Sequence, residues 1–107
     1  SDFSIGAFSF LLAYSDHVVA YVFTPDDQNN SKCEIYWLVR GDAVEGKDYE
    51  VDKLTWLWDV TTQADKEIIV NNSRGVHPKY YRPGPFSGME RAEQVYIEWI
   101  LQELQRL

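Results

Sequence analysis

The sequence predicts an α+β domain in which an antiparallel sheet precedes two helices. Three observations carry this. Up to Arg40 the chain holds β-branched and aromatic runs separated by short polar turns. From Val51 the apolar residues recur at helical rather than alternating spacing. Three prolines between Val76 and Phe86 then interrupt the chain before a second amphipathic stretch.

The first strand is expected over Phe3 to Tyr14, with Gly6 as a bulge, because the run is almost wholly apolar and aromatic. Ser15-Asp16-His17 reads as a tight turn, since Ser and Asp side chains hydrogen-bond to nearby backbone. Val18 to Thr24 is a second strand, stopped by Pro25, and Asp26 to Ser31 is a polar loop. Lys32 to Arg40 alternates, which puts Cys33, Ile35, Trp37 and Val39 on one side of a third strand. Turns this short require antiparallel pairing.

After a loop over Gly41 to Lys47, a long helix is expected from Val51 to Arg74, with Gly75 as its stop. At 100° per residue, Leu54, Leu57, Trp58, Thr61, Ala64, Asp65, Ile68, Ile69 and Asn72 share one face. Ser87 and Glu90 have capping-box spacing, so the second helix should begin near Ser87. Ala92, Val95, Tyr96, Trp99, Ile100 and Leu104 form its apolar stripe. Between the helices, the Tyr80 to Phe86 segment should be extended and clamp a chain crossing.

Composition excludes several functions. A chain of 107 residues is one domain or less. Its formal charge of −7, with scattered Lys and Arg, argues against nucleic acid and membrane surfaces. Cys33 is the one cysteine, which rules out an internal disulfide and a multi-cysteine metal site, and fits a reducing cytoplasm. An aromatic share of 15% supplies enough bulky surface for a core or a pocket wall.

Asp65 is the one acid on the apolar face of the long helix. A carboxylate there must be paired, protonated, open to solvent or bound to metal. Thr61, Thr62 and Asn72 are the partners a purely structural role would use. His17 reads as a solvated turn residue, and His77 falls in the irregular segment. Their wide separation argues against a two-histidine, one-carboxylate iron site built from them and Asp65. Cys33 reads as a small core residue. The chain has no phosphate loop and no nucleophile motif, so no complete catalytic constellation is visible.

An ordered series of motifs resembles the C-terminal part of the catalytic domain of Rieske non-haem iron oxygenase α subunits, the ring-hydroxylating oxygenases. It runs through Trp37-Leu38-Val39, Gly41-Asp42-Ala43, Asp48-Tyr49 and Leu54-Thr55-Trp56-Leu57-Trp58-Asp59. It continues through Ala64-Asp65-Lys66, Arg74-Gly75-Val76, Tyr81-Arg82-Pro83-Gly84-Pro85 and Glu90, and Phe8 to Pro25 resembles the family's strand hairpin.

The resemblance implies a helix-grip-like fold, with about three strands here packed on two helices including a long C-terminal one. It makes residues 1–107 a single, partial catalytic domain, with Ser1 falling inside a longer protein. It implies an oxidoreductase that activates O2 at a mononuclear Fe(II) to hydroxylate or demethylate a small organic substrate, as in aromatic compound catabolism. Asp65 matches the iron's carboxylate ligand and Trp58 a residue lining the substrate pocket. The histidine ligands and the Rieske [2Fe-2S] cluster belong to parts this chain lacks, so the chain alone should be inactive and bind no cofactor. Expected partners are a reductase or ferredoxin and further copies of the subunit in a homo-oligomer, in the cytoplasm. The alternatives are a stand-alone helix-grip module binding an apolar ligand against Trp37, Trp56, Trp58 and Trp99, and a protein-interaction subunit.

Overall fold

A computed structural model describes residues 1–107. Four strands come first, β1 (Asp2–Ile5), β2 (Ser9–Ala13), β3 (His17–Pro25) and β4 (Ser31–Val39). Two helices follow, α1 (Val51–Val76) and α2 (Arg91–Gln105). The sheet is an antiparallel meander in the order β1-β2-β3-β4. Residues Ser1–Glu67 form one compact unit and Ile68–Leu107 a second.

The α+β class and the antiparallel sheet match the sequence reading, and the strand number differs. The run expected as one bulged strand is two, because the chain reverses at Gly6-Ala7-Phe8 and β1 folds back on β2. Gly6 takes a φ of 61°, a left-handed conformation that glycine adopts without penalty. An apolar run carries no periodicity signal for a reversal in its middle, so this turn was hidden. The Ser15-Asp16 tip behaves as expected, with the Tyr14 N–H donating to the His17 carbonyl at 2.9 Å. In the next loop, the Asp27 carboxylate accepts the N–H groups of Asn29 (2.7 Å) and Asn30 (2.8 Å).

The core centres on β3, which lies between β2 and β4. Val19 is 0% exposed and Tyr21 is 7%. Registration places Phe10, Tyr21 and Ile35 in one row, and Leu12, Val19 and Trp37 in the next. Since side chains alternate along a strand, these rows share a face. Phe10 stacks on Tyr21 with ring centroids 4.7 Å apart, and Phe23 extends the stack. The Trp37 indole N–H is buried without a partner. On the opposite face, Phe3, Ile5, Tyr36 and Leu38 are exposed. Cys33, expected in the core, is also exposed, because β4 is an edge strand with β3 on one side only.

The first half of α1 meets the face that carries Tyr21. Leu54, Thr55, Trp58 and Thr62 are its half-buried residues, a stripe at i, i+4 and i+8. Thr61, expected on that face, is exposed and donates its hydroxyl to the Leu57 carbonyl at 2.8 Å. The helix continues through Gly75 to Val76 rather than stopping at the glycine. Gly75 does not take a positive φ, so it forms no left-handed cap.

In the second unit, α2 begins at Arg91, later than its capping signal placed it. The Glu90 carboxylate reaches back to accept the Ser87 N–H, which is half of the expected capping box. That contact holds the Glu90 carboxyl below the usual range. Tyr96 and Trp99 stack at 6.5 Å along the helix. Tyr80 is exposed, so it clamps nothing.

Two substitutions probe this architecture. Gly6→Ala should cost about 1 kcal/mol through the strained backbone alone, since an added Cβ meets nothing within 4 Å. Tyr21→Phe should cost about 1 kcal/mol by removing a hydroxyl that bonds to α1. Urea denaturation measures both, and an unchanged midpoint for either would contradict the contact it tests.

Candidate functional site

Trp58 is fixed by the aromatic ladder of the sheet. Its indole meets Tyr21 edge-on at 6.3 Å and Tyr14 at 5.7 Å with the rings tilted by 50°. One turn further along α1, the Tyr21 and Thr62 hydroxyls are hydrogen-bonded at 2.9 Å. Asp65 follows Thr62 by three positions and Trp58 by seven, so helical periodicity sets all three on one stripe.

Asp65 itself is exposed and engages no side chain. Thr61, Thr62 and Asn72, the partners of a purely structural role, do not bond to it: Thr61 bonds to the helix backbone and Thr62 to Tyr21. No burial cost therefore falls on the Asp65 carboxylate.

No group of three or more His, Cys, Asp or Glu residues in the chain is arranged to hold a metal ion. An ionised carboxylate is a suitable hard donor for iron(II). A two-histidine, one-carboxylate centre needs three such donors, and no group of them stands together here.

His17 is not the solvated turn residue that its sequence context implied. It opens β3, its side chain is 17% exposed, and its ring stacks on Tyr14 at 5.0 Å. Its Nδ1 lies 2.8 Å from Asp16 Oδ1. This contact, with the imidazole as hydrogen-bond partner, holds the Asp16 carboxyl below the ordinary aspartate value.

These residues edge a cleft of about 480 Å³ bounded by the β2–β3 turn, the loop after β4 and the first turns of α1. Tyr14, His17, Tyr49, Leu54, Leu57 and Trp58 are among its walls. A second cleft of about 590 Å³ adjoins it across Tyr14, His17 and Tyr49. Neither was legible beforehand, although the adjacent Asp16-His17 pair was an available signal. The four tryptophans do not share one pocket: Trp58 lines the cleft, whereas Trp56 is 64% exposed.

The architecture is thus an α+β domain whose antiparallel sheet is backed by a long helix with an aromatic and a carboxylate on one stripe. The chain belongs to the ring hydroxylating alpha subunit (catalytic domain) family, whose model matches residues 8–106. It is 38% identical over 72 residues to the glycine betaine monooxygenase oxygenase subunit of Pseudomonas aeruginosa, a region covering 67% of this chain and 17% of that protein. The Chromohalobacter salexigens protein of the same name is 36% identical over 72 residues, 67% of this chain and 16% of its own length. The chain thus spans about one-sixth of the curated relatives it matches. No helix is long and apolar enough to cross a membrane.

The Asp16–His17 contact has a titration signature. Because the folded-state value of Asp16 is depressed, its contribution to stability is present above the ordinary aspartate value. It is lost as pH falls through the lowered one. A carbon-detected NMR titration should show Asp16 with a midpoint below 3.8, moving upward in His17→Phe. An unchanged midpoint in the variant would assign the depression to another cause.

Proposed function

We propose that this chain is part of a single catalytic domain of a Rieske-type oxygenase α subunit and contributes Asp65 as the carboxylate ligand of its mononuclear iron. The observation carrying this reading is the free Asp65 carboxylate, set on the stripe of α1 that begins with Trp58 and Thr62 against the sheet. Family membership supports it independently. In the whole protein two histidines from outside this chain complete the ligand set, and such a centre supplies O2 activation. Trp58, held rigid by Tyr14 and Tyr21, forms part of the wall that excludes water and positions the substrate.

The relatives' names favour a small methylated ammonium compound as substrate, hydroxylated or demethylated, over an aromatic compound. A Rieske [2Fe-2S] cluster elsewhere in the protein receives electrons from a reductase. One cysteine cannot hold such a cluster, so it lies outside this chain. The exposed row of Phe3, Ile5, Tyr36 and Leu38 fits a subunit that buries this face in a larger assembly in the cytoplasm.

In the intact oxygenase, Asp65→Ala should remove mononuclear iron and abolish turnover while the visible absorption of the Rieske cluster persists. Loss of the anionic ligand weakens the centre and leaves its charge unbalanced. Metal analysis and absorption spectra read the two centres separately. Full iron content in the variant would overturn the assignment.

A further inference from the structure

Helix α1 is held differently along its length. Up to Thr62 it rests on the sheet, where Leu54, Thr55, Trp58 and Thr62 are half-buried. The Trp58 indole meets Tyr21, and the Thr62 and Tyr21 hydroxyls are bonded at 2.9 Å. From Gln63 to Val76 every residue of the helix is exposed. Ile68 and Ile69 are 65% and 63% exposed, so their apolar surface does little to hold the backbone. The compact unit built on the sheet ends at Glu67, within the helix.

Composition gives the second half little stability of its own. In Ile68-Ile69-Val70-Asn71-Asn72-Ser73-Arg74-Gly75-Val76 every residue but Arg74 is β-branched, an amide, a hydroxyl or glycine, all weak helix formers. The first half is no better composed, with Thr55, Trp56, Trp58, Val60, Thr61 and Thr62. Packing against the sheet, rather than propensity, therefore separates the two. The ion pair of Glu50 with Lys53 lies at the opposite end of the helix. Gly75 forms no left-handed cap, and Arg74 adds only the small gain of a cation near the end of the helix dipole. Extending a helix that is already formed needs no nucleation, so propagation alone decides whether Ile68 to Val76 stay helical.

We propose that α1 divides near Glu67 into an anchored half and a conditional half. The conditional half, Ile68 to Val76, opens to coil and recloses while the sheet and the anchored half stay folded. Local opening of this kind belongs to segments with few buried contacts and solvent-exposed backbone hydrogen bonds. Asp65 lies within one turn of Thr62, so it stays with the anchored half through each opening. The inference is independent of the role assigned to the Asp65 carboxylate.

Hydrogen exchange of the whole 107-residue chain, read amide by amide by NMR, tests this. The amides of Trp58 to Thr62 should be protected at least about a hundredfold more than those of Asn71 to Val76. Asn71→Ala, Asn72→Ala, Ser73→Ala and Gly75→Ala combined should raise protection over residues 71–76 by about tenfold to a hundredfold. The same variant should leave Trp58 to Thr62 unchanged. Tyr21→Phe should act on the other half, lowering protection of Trp58 to Thr62 and leaving Asn71 to Val76 as they are. Equal protection of the two halves, or a combined alanine variant that changes neither, would overturn the proposal.

Discussion

Tyr21 is the side chain through which the sheet and the first half of the long helix hold each other. Its ring stacks with Phe10 and Phe23 within the sheet, meets Trp58 in a T-shaped contact, and its hydroxyl bonds to Thr62. A tyrosine serves here because one end of it is apolar and the other can satisfy a polar partner where water is largely excluded. Three aromatic contacts and one hydrogen bond act on the same ring. The angular position of α1 about its own axis is therefore set where Trp58 and Thr62 meet it, and every residue further along the stripe inherits that setting. Asp65 is placed by this chain of dependence and by no contact of its own.

The same constraint explains why the core is small. β2 and β3 both have a strand on each side, but the contact to α1 falls on Tyr21 of β3, and the well-buried residues Val19 and Tyr21 both lie on that strand. On the edge strand β4, Cys33 shares its face with Ile35 and Trp37 yet remains exposed. Burial in a sheet depends on neighbours in two directions, and the pattern along one strand records neither.

The two candidate sites differ in how they are built. Asp65 owes its position to regular helix geometry and would be placed by any helix of this register. The aromatic cleft is assembled from a hairpin tip, an irregular loop and a helix, so its existence depends on three backbone segments meeting. Asp48 and Gly46 shape that loop, the first by accepting the Val44 N–H and the second by a φ of 81°. Sites of this second kind are usual where binding groups come from loops on a rigid scaffold.

By itself the sequence determined the fold class, the β3 and β4 strands, the long helix and the stripe that carries Trp58 and Asp65. Those follow from local periodicity, which a linear chain displays in full. It misplaced the start of α2 and the end of α1 by a few residues, because caps are decided by backbone dihedrals that side-chain identity only biases. It concealed the reversal at Gly6, since an apolar strand and an apolar hairpin share one composition. Only the tertiary structure decided that Thr62 rather than Thr61 faces the sheet, that Asp65 is solvated, and that His17 is a packed wall residue stacked on Tyr14. Each of these depends on which distant segment fills the space beside a residue, and that is a property of the assembled fold.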